Sequence, residues 1–252
     1  MLKPLVAPTR RLKAATKQAI AGIVSTAGNA HHGRWYYSNR WHPHNALLED
    51  ALSETVEYIK SNMSSALILR DEIGVITHAL KAAPSDGLFI EFGVRSGRTI
   101  NHIAGKRPKA TVDGFDSFEG LPEAWAGYTM DRGAFGGEGI PDVKPNVRLH
   151  VGWFDATLPA FLADHDDPVA FIHVDSDLYS SAQTILSELA PRFRPGSVIV
   201  FNEYFNYPNW KEHEFRAWHE FCAEHDVTYE YLAWGMYEAS VVIRSIGAGA
   251  TS

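Results

Sequence analysis

Cysteine is nearly absent from this 252-residue chain, which holds only Cys222. A single thiol excludes an intramolecular disulfide and fits a reducing, cytoplasmic setting. Cys222 falls inside a helix expected over 209–224, where it reads as a buried, inert side chain. Long apolar runs are also missing, and no stretch approaches the about twenty residues that a membrane-spanning helix needs. The segment 19–27 follows a basic start, but small and polar residues break it too often for the apolar stretch of a leader peptide. A basic arm is expected there instead, resting on a partner (a second copy of the chain included) or left loose. Acid is absent from the first 48 residues, which carry seven of the 23 lysines and arginines. The rest therefore holds nearly twice as many acids as bases, and the net charge is −7. That body lacks the concentrated positive surface that makes nucleic acid a main partner. The crowded stretch 31–45, with four histidines and four aromatics, has no cysteine and no helical pair of histidines four apart. It reads as a lid-like loop ahead of a zinc site.

What is present is an ordinary apolar fraction of 45% in alternating segments, enough for one sizeable core. Apolar positions at helical spacing (Leu47, Leu48, Ala51, Leu52, Val56, Ile59) predict a helix over 47–63, and a second is expected over 66–82, stopped by Pro84. Compact apolar runs near 88–92, 111–115, 147–151, 168–174 and 197–202 read as strands buried on both faces. Helices near 97–105, 156–164 and 180–190 separate most of them, which predicts a parallel, doubly wound, Rossmann-like sheet. Two further strands, 228–233 and 236–244, are joined too closely for a parallel crossover, so the last of seven strands enters antiparallel. The long glycine-rich insertion 118–142 is expected to cover the ligand crevice.

The stretch 88–99 (L-F-I-E-F-G-V-R-S-G-R-T) carries the first chemical signal. An apolar run ends in Glu91, Gly93 and Gly97 let backbone approach a ligand, and a helix follows. Asp116 then ends the next apolar run, where an acid accepts hydrogen bonds from ribose hydroxyls. The two together point to a ribonucleoside cofactor. The fourth and fifth strands end in Asp175 and in Asn202-Glu203 at the same sheet edge. These three can converge as oxygen ligands of Mg²⁺. Asp177 and Ser180 read as helix caps, and His173, mid-strand among apolar neighbours, as a satisfied core imidazole.

Five segments in order, E-F-G-V-R-S-G (91–97), F-D-S-F-E-G-L-P (115–122), V-G-W-F-D-A-T-L-P (151–159), H-V-D-S-D-L-Y-S-S (173–181) and P-G-S-V-I-V-F-N-E-Y (195–204), resemble the macrocin O-methyltransferase family over 86–205. The resemblance implies a class I methyltransferase that uses S-adenosylmethionine and Mg²⁺ to methylate a hydroxyl of a small molecule, a sugar of a natural product in that family. It implies a domain over 46–252, with its N-terminal helices, behind the 1–45 arm and loop. Carried over, Glu91 and Gly93 line the methionine end of the cofactor beside Gly97. Asp116, with the adjoining Ser117, holds the ribose, and Phe154 and Asp155 meet the adenine. Asp175 is metal ligand and base, with Asn202 and Glu203 as further ligands. The chain departs from the family at Asn202-Glu203, where an acidic pair is usual. Leu178 stands where the more distantly similar catechol enzymes place a catalytic lysine. A metal-independent methyltransferase and a catalytically silent nucleoside binder remain as alternatives.

Overall fold

Strands alternating with amphipathic helices wind into one sheet in the computed structural model, which describes residues 42–247. The runs near 88–92, 168–174 and 197–202 are buried on both faces as expected, whereas 147–151 is not, with Arg148 and Val151 exposed. The basic arm and most of the histidine-rich loop lie outside the described residues. The chain divides into two compact units, 1–49 and 50–252. Of the first, the described part is His42 and the opening turns of helix α1 (Pro43–Asn62). The helix thus starts earlier than expected and takes in the last residues of the loop. Of its predicted apolar stripe, Ala51 is buried, while Leu47, Leu48, Leu52 and Val56 are exposed. What fixes its second half is Tyr58, ringed edge-on by Tyr204, Trp210 and Phe215, and buried Thr55, whose hydroxyl accepts the Asn206 N–H at 3.0 Å.

The second helix begins later than its periodicity suggests. Strand β1 (Leu67–Ile68) pairs with Ala233 and Trp234 at the sheet edge, and only then does Asp71 cap α2 (Glu72–Ala82), accepting the Gly74 N–H at 2.9 Å. The side-chain cap and the edge pairing set that boundary against the apolar repeat. Strand β2 (Leu88–Phe92), helix α3 (Arg98–Lys106), β3 (Val112–Asp116), β4 (Val147–Val151), α4 (Phe154–Ala163), β5 (Val169–Val174), α5 (Tyr179–Leu189) and β6 (Val198–Phe201) follow. Helix α6 (Glu214–Glu224) and the hairpin β7 (Thr228–Trp234) and β8 (Ala239–Ser245) close the described chain.

The strand order is β1-β7-β8-β6-β5-β2-β3-β4. The seven expected strands are present with the two-residue β1 as an eighth, and β8 alone runs antiparallel to its neighbours β6 and β7. Strand periodicity sorts the core into two layers. Phe89 and Phe171 face α2 and α3, with Val75, Ile76, Ile100 and Ile103. Ile90, Phe92, Ile172 and Val174 face the layer of α4, α5 and α6, with Leu158, Ile185, Leu186 and Trp218. Among the described residues no helix is long and apolar enough to cross a membrane.

Candidate active site

The carboxyl ends of β2, β3, β5 and β6 are flush because ladder hydrogen bonds continue one residue past the strands. Gly93 N–H donates to Phe115 O, Asp175 N–H to Phe92 O and Asn202 N–H to Val174 O, each at 2.9 Å. Gly93 is left-handed (φ +92°), and a Cβ there would overlap the Asp175 carbonyl oxygen. Only glycine permits that approach. Gly97 (φ +76°) is the N-cap of α3, with no side-chain cap bond.

Asp116 joins two of the edge loops. Its Oδ2 accepts the Arg95 N–H and its Oδ1 the Phe118 N–H, both at 2.7 Å. A cavity of about 670 Å³ opens above these ends, within the size range of small-molecule sites. Five of the seven expected cofactor residues line it: Gly93, Asp116, Ser117, Phe154 and Asp155. Glu91 and Gly97 do not. Glu91 faces the α2–α3 layer, beside its register partner His173. There its Oε1 accepts the Thr99 hydroxyl at 2.9 Å and its Oε2 lies 3.1 Å from His173 Nδ1. Burial raises the pKa of Glu91 and its bond to His173 opposes the rise. Burial lowers that of His173, but the hydrogen bond and charge of Glu91 outweigh it and lift the imidazole to about 9. His173 lies in the core as expected but is only half satisfied: Nδ1 meets Glu91, while the buried Nε2 has no hydrogen-bond partner.

The acid side of the cavity differs in membership from expectation. Asp175, Asp177 and Glu203 bring one carboxylate oxygen each within 4.8 Å of one another, while Asn202 faces them as a donor. Its Nδ2 donates to Asp175 Oδ1 at 3.2 Å and to Glu203 Oε1 at 3.0 Å. Asp177 is not a helix cap. Leu178 precedes α5 without any side-chain cap bond, and Asp177 is buried in a left-handed conformation (φ +63°). Ser180 does not cap either, since its hydroxyl donates to Glu123 Oε1 at 2.7 Å. Burial raises Asp177 to about 6, moderated by a hydrogen bond shared with Glu203 and by the charge of Arg95. Burial first, and the neighbouring carboxylates after it, hold Glu203 well above the usual range; for Asp175 burial dominates against the opposing charge of His173.

Three hard oxygen donors so close together, with Glu203 Oε2 and Asn202 Oδ1 buried and unpartnered, fit a small divalent cation. Asp175, Asp177 and Glu203 would hold it, and Asn202 would join by turning its amide oxygen inward.

The insertion 118–142 forms the outer wall, as expected. Leu121, Trp125, Tyr128, Met130 and Phe135 line the cavity, and Trp125 stacks on Tyr128 at 4.5 Å between centroids. Arg95 pins the insertion, its guanidinium lying 4.8 Å over Phe135 and bonded to Glu138 at 2.6 Å. The sequence pattern reads Asp177 as a helix cap, although its spacing of two from Asp175 is a visible signal of a second acid at this edge. Glu214 gives no signal in the sequence, since its place in a first helical turn looks like ordinary dipole complementation.

Residues 90–204 match a family described as a methyltransferase domain. An 8-demethyl-8-(2,3-dimethoxy-alpha-L-rhamnosyl)-tetracenomycin-C 4'-O-methyltransferase of Streptomyces olivaceus is 34% identical over 107 residues, 35% of this chain and 40% of that protein. A demethyldecarbamoylnovobiocin O-methyltransferase of Streptomyces niveus is 28% identical over 135 residues, 46% of this chain and 49% of that one. The chain thus matches less than half the length of either relative. A solved calicheamicin methyltransferase shares the fold, with a TM-score of 0.54 at 20% identity over 86% of this chain and 91% of that chain.

Proposed function

We propose, from the premise that residues 90–204 are a methyltransferase domain, that this chain transfers the methyl group of S-adenosylmethionine to a hydroxyl of a small molecule. The observation that carries the reading is one cavity with two chemically distinct sets of lining residues. Asp116, Ser117 and Phe154 form one set and Asp175, Asp177 and Glu203 the other, with Gly93 in backbone contact with Asp175. In this reading Asp116 holds the ribose and Phe154 and Asp155 flank the base. The two relatives act, by their names, on a rhamnosyl tetracenomycin and on a novobiocin precursor. A sugar hydroxyl of a glycosylated natural product is accordingly the proposed acceptor. The aromatic wall at Trp125 and Tyr128 and the hydroxyls of Ser180, Ser181 and Thr184 offer a flat apolar contact and hydrogen bonds to such a ring.

The cofactor supplies its own leaving group, so alignment of oxygen, methyl carbon and sulfur is the protein's main task. As the C–O bond forms and the C–S bond breaks, the hydroxyl proton passes to a carboxylate and S-adenosylhomocysteine departs. Asp177 is the proposed acceptor of that proton, because its carboxyl sits near 6, close to working pH. Asp175, held by Asn202, orients the group. Mg²⁺ bound by Asp175, Asp177 and Glu203 would lower the pKa of the acceptor hydroxyl. Asn202 supports a second reading, without metal, because its amide already bridges two of the carboxylates.

Methyl transfer from labelled S-adenosylmethionine to a panel of rhamnosides and other glycosides, with and without chelator, tests both readings. Transfer abolished by chelator and restored by Mg²⁺ supports the first, and transfer indifferent to chelator the second. Cofactor binding without transfer to any acceptor would favour a silent nucleoside binder.

A further inference from the structure

Glu214 is the first residue of α6 and is fully buried outside the cavity lining. A carboxyl group in such a place is costly unless both oxygens are satisfied. Here its Oε1 accepts the Ser176 N–H at 3.2 Å and its Oε2 the Glu203 N–H at 3.1 Å. Ser176 lies between Asp175 and Asp177, and Glu203 is the third member of the acid group. The pairing of β5 with β6 ends at Val174 and Phe201, and its last rung is the Asn202 N–H to Val174 O. Beyond that rung the two acid-bearing loops turn away from the ladder. Glu214 is the side chain that clasps the backbone of both.

The neighbouring residue extends the same anchorage. His213 Nε2 lies 3.0 Å from the Ala126 carbonyl, an acceptor, so this nitrogen carries the proton. Burial lowers the pKa of the ring, against the opposing pull of that hydrogen bond. One turn of chain at the start of α6 thus holds the two acid loops through Glu214 and the Trp125 wall through His213.

We propose that Glu214 is a positioning residue for methyl transfer, setting the separation of Asp177 and Glu203 through the backbone amides of Ser176 and Glu203. The two oxygens of one carboxylate are a fixed distance apart, so amides bonded to both cannot drift independently. The proposal rests on the reading of the cavity as a methyl-transfer site. Glu214 does not itself line the cavity; it reaches the reaction through the two backbone amides that it holds, with its charge felt at Glu203 and Asp177 besides.

Glu214→Gln keeps the shape of the side chain but turns an NH₂ group toward one of the two amides, so one hydrogen bond is lost. The expected result is a kcat lower by about 30- to 100-fold, with the affinity for S-adenosylhomocysteine and the acceptor KM each within about threefold of wild type. Amide hydrogen exchange at Ser176 and Glu203 should quicken by about tenfold or more, while that of β2 and β3 stays unchanged. Unchanged kcat, unchanged exchange at those two amides, or a kcat loss matched by an equal loss of cofactor affinity would each overturn the proposal. If wild type methylates no acceptor, the functional reading fails, and the exchange and cofactor-affinity data still decide whether Glu214 clasps the loops. Should Glu214→Gln fail to fold, Glu214→Asp takes its place with the same readouts, since the shorter side chain reaches one amide only.

Discussion

The main-chain carbonyl oxygen of Asp175 occupies the space that a Cβ on Gly93 would need. The end of β2 and the end of β5 therefore touch backbone to backbone where Gly93 and Asp175 line the cavity. The contact fixes Asp175 relative to the glycine turn.

Gly93→Ala should accordingly destabilise the protein by at least about 2 kcal/mol, combining left-handed strain with displacement of Asp175. Urea denaturation measures it. A loss under about 0.5 kcal/mol would mean that the two backbones separate easily.

Asp116 accepts the amides of Arg95 and Phe118 and lines the cavity. Asp116→Ala should weaken S-adenosylhomocysteine binding by about 1.5–3 kcal/mol, the range for a hydrogen bond to a charged group. Calorimetry returning the wild-type dissociation constant would take the ribose role away from this residue.

Asn202 donates to two carboxylates that would otherwise repel each other. Asn202→Asp replaces that donor with another negative charge. The variant should melt lower than wild type in chelator yet bind Mg²⁺ about tenfold or more tightly. Calorimetric Mg²⁺ titration of both proteins provides the check, and equal affinities would place the cation away from Asn202.

Stability should fall as pH rises in the absence of cations. Burial holds Asp177 at about 6 and Glu214 at about 8 in the folded protein, above their ordinary values of 3.8 and 4.5. The folded state thus binds more protons than the unfolded chain. The resulting stabilisation is complete below the ordinary values and is lost as pH rises through about 6 and then about 8. His173 adds to the same trend, complete below 6.5 and lost through about 9. In chelator the melting temperature should drop between about pH 5.5 and pH 8.5, and millimolar Mg²⁺ should raise it more at the higher pH. A melting temperature flat across that window would show that the acid cluster ionises without cost.

Both core layers and the whole described sheet lie within 50–247. Deleting residues 1–41 should therefore leave a cooperative melt within about 3 °C of the full chain. Loss of the cooperative transition on scanning calorimetry would make the arm part of the core or of an obligate assembly.

Local pattern was enough to determine seven of the eight strands; the two-residue β1 carries no such signal. Runs such as 169–172 and 198–201 are continuously apolar because both faces of those strands are buried. The short link before β8 forces a reversed strand, whatever the rest of the chain does. The acids that end β3, β5 and β6 were legible for the same reason, since a charge closing a buried strand breaks an otherwise unbroken apolar run. Which way those groups point, and what they meet, was settled only by packing. Glu91 and Asp175 both belong to strand-end motifs, yet one turns beneath the sheet to Thr99 and His173 while the other faces the cavity. Asp177 resembles a helix cap in sequence and is a buried acid in space. Glu214 finds its partners 38 and 11 residues away. Periodicity reports only whether a position faces the core. The partner that makes a buried charge tolerable comes from another element, and tertiary structure alone brings the two together.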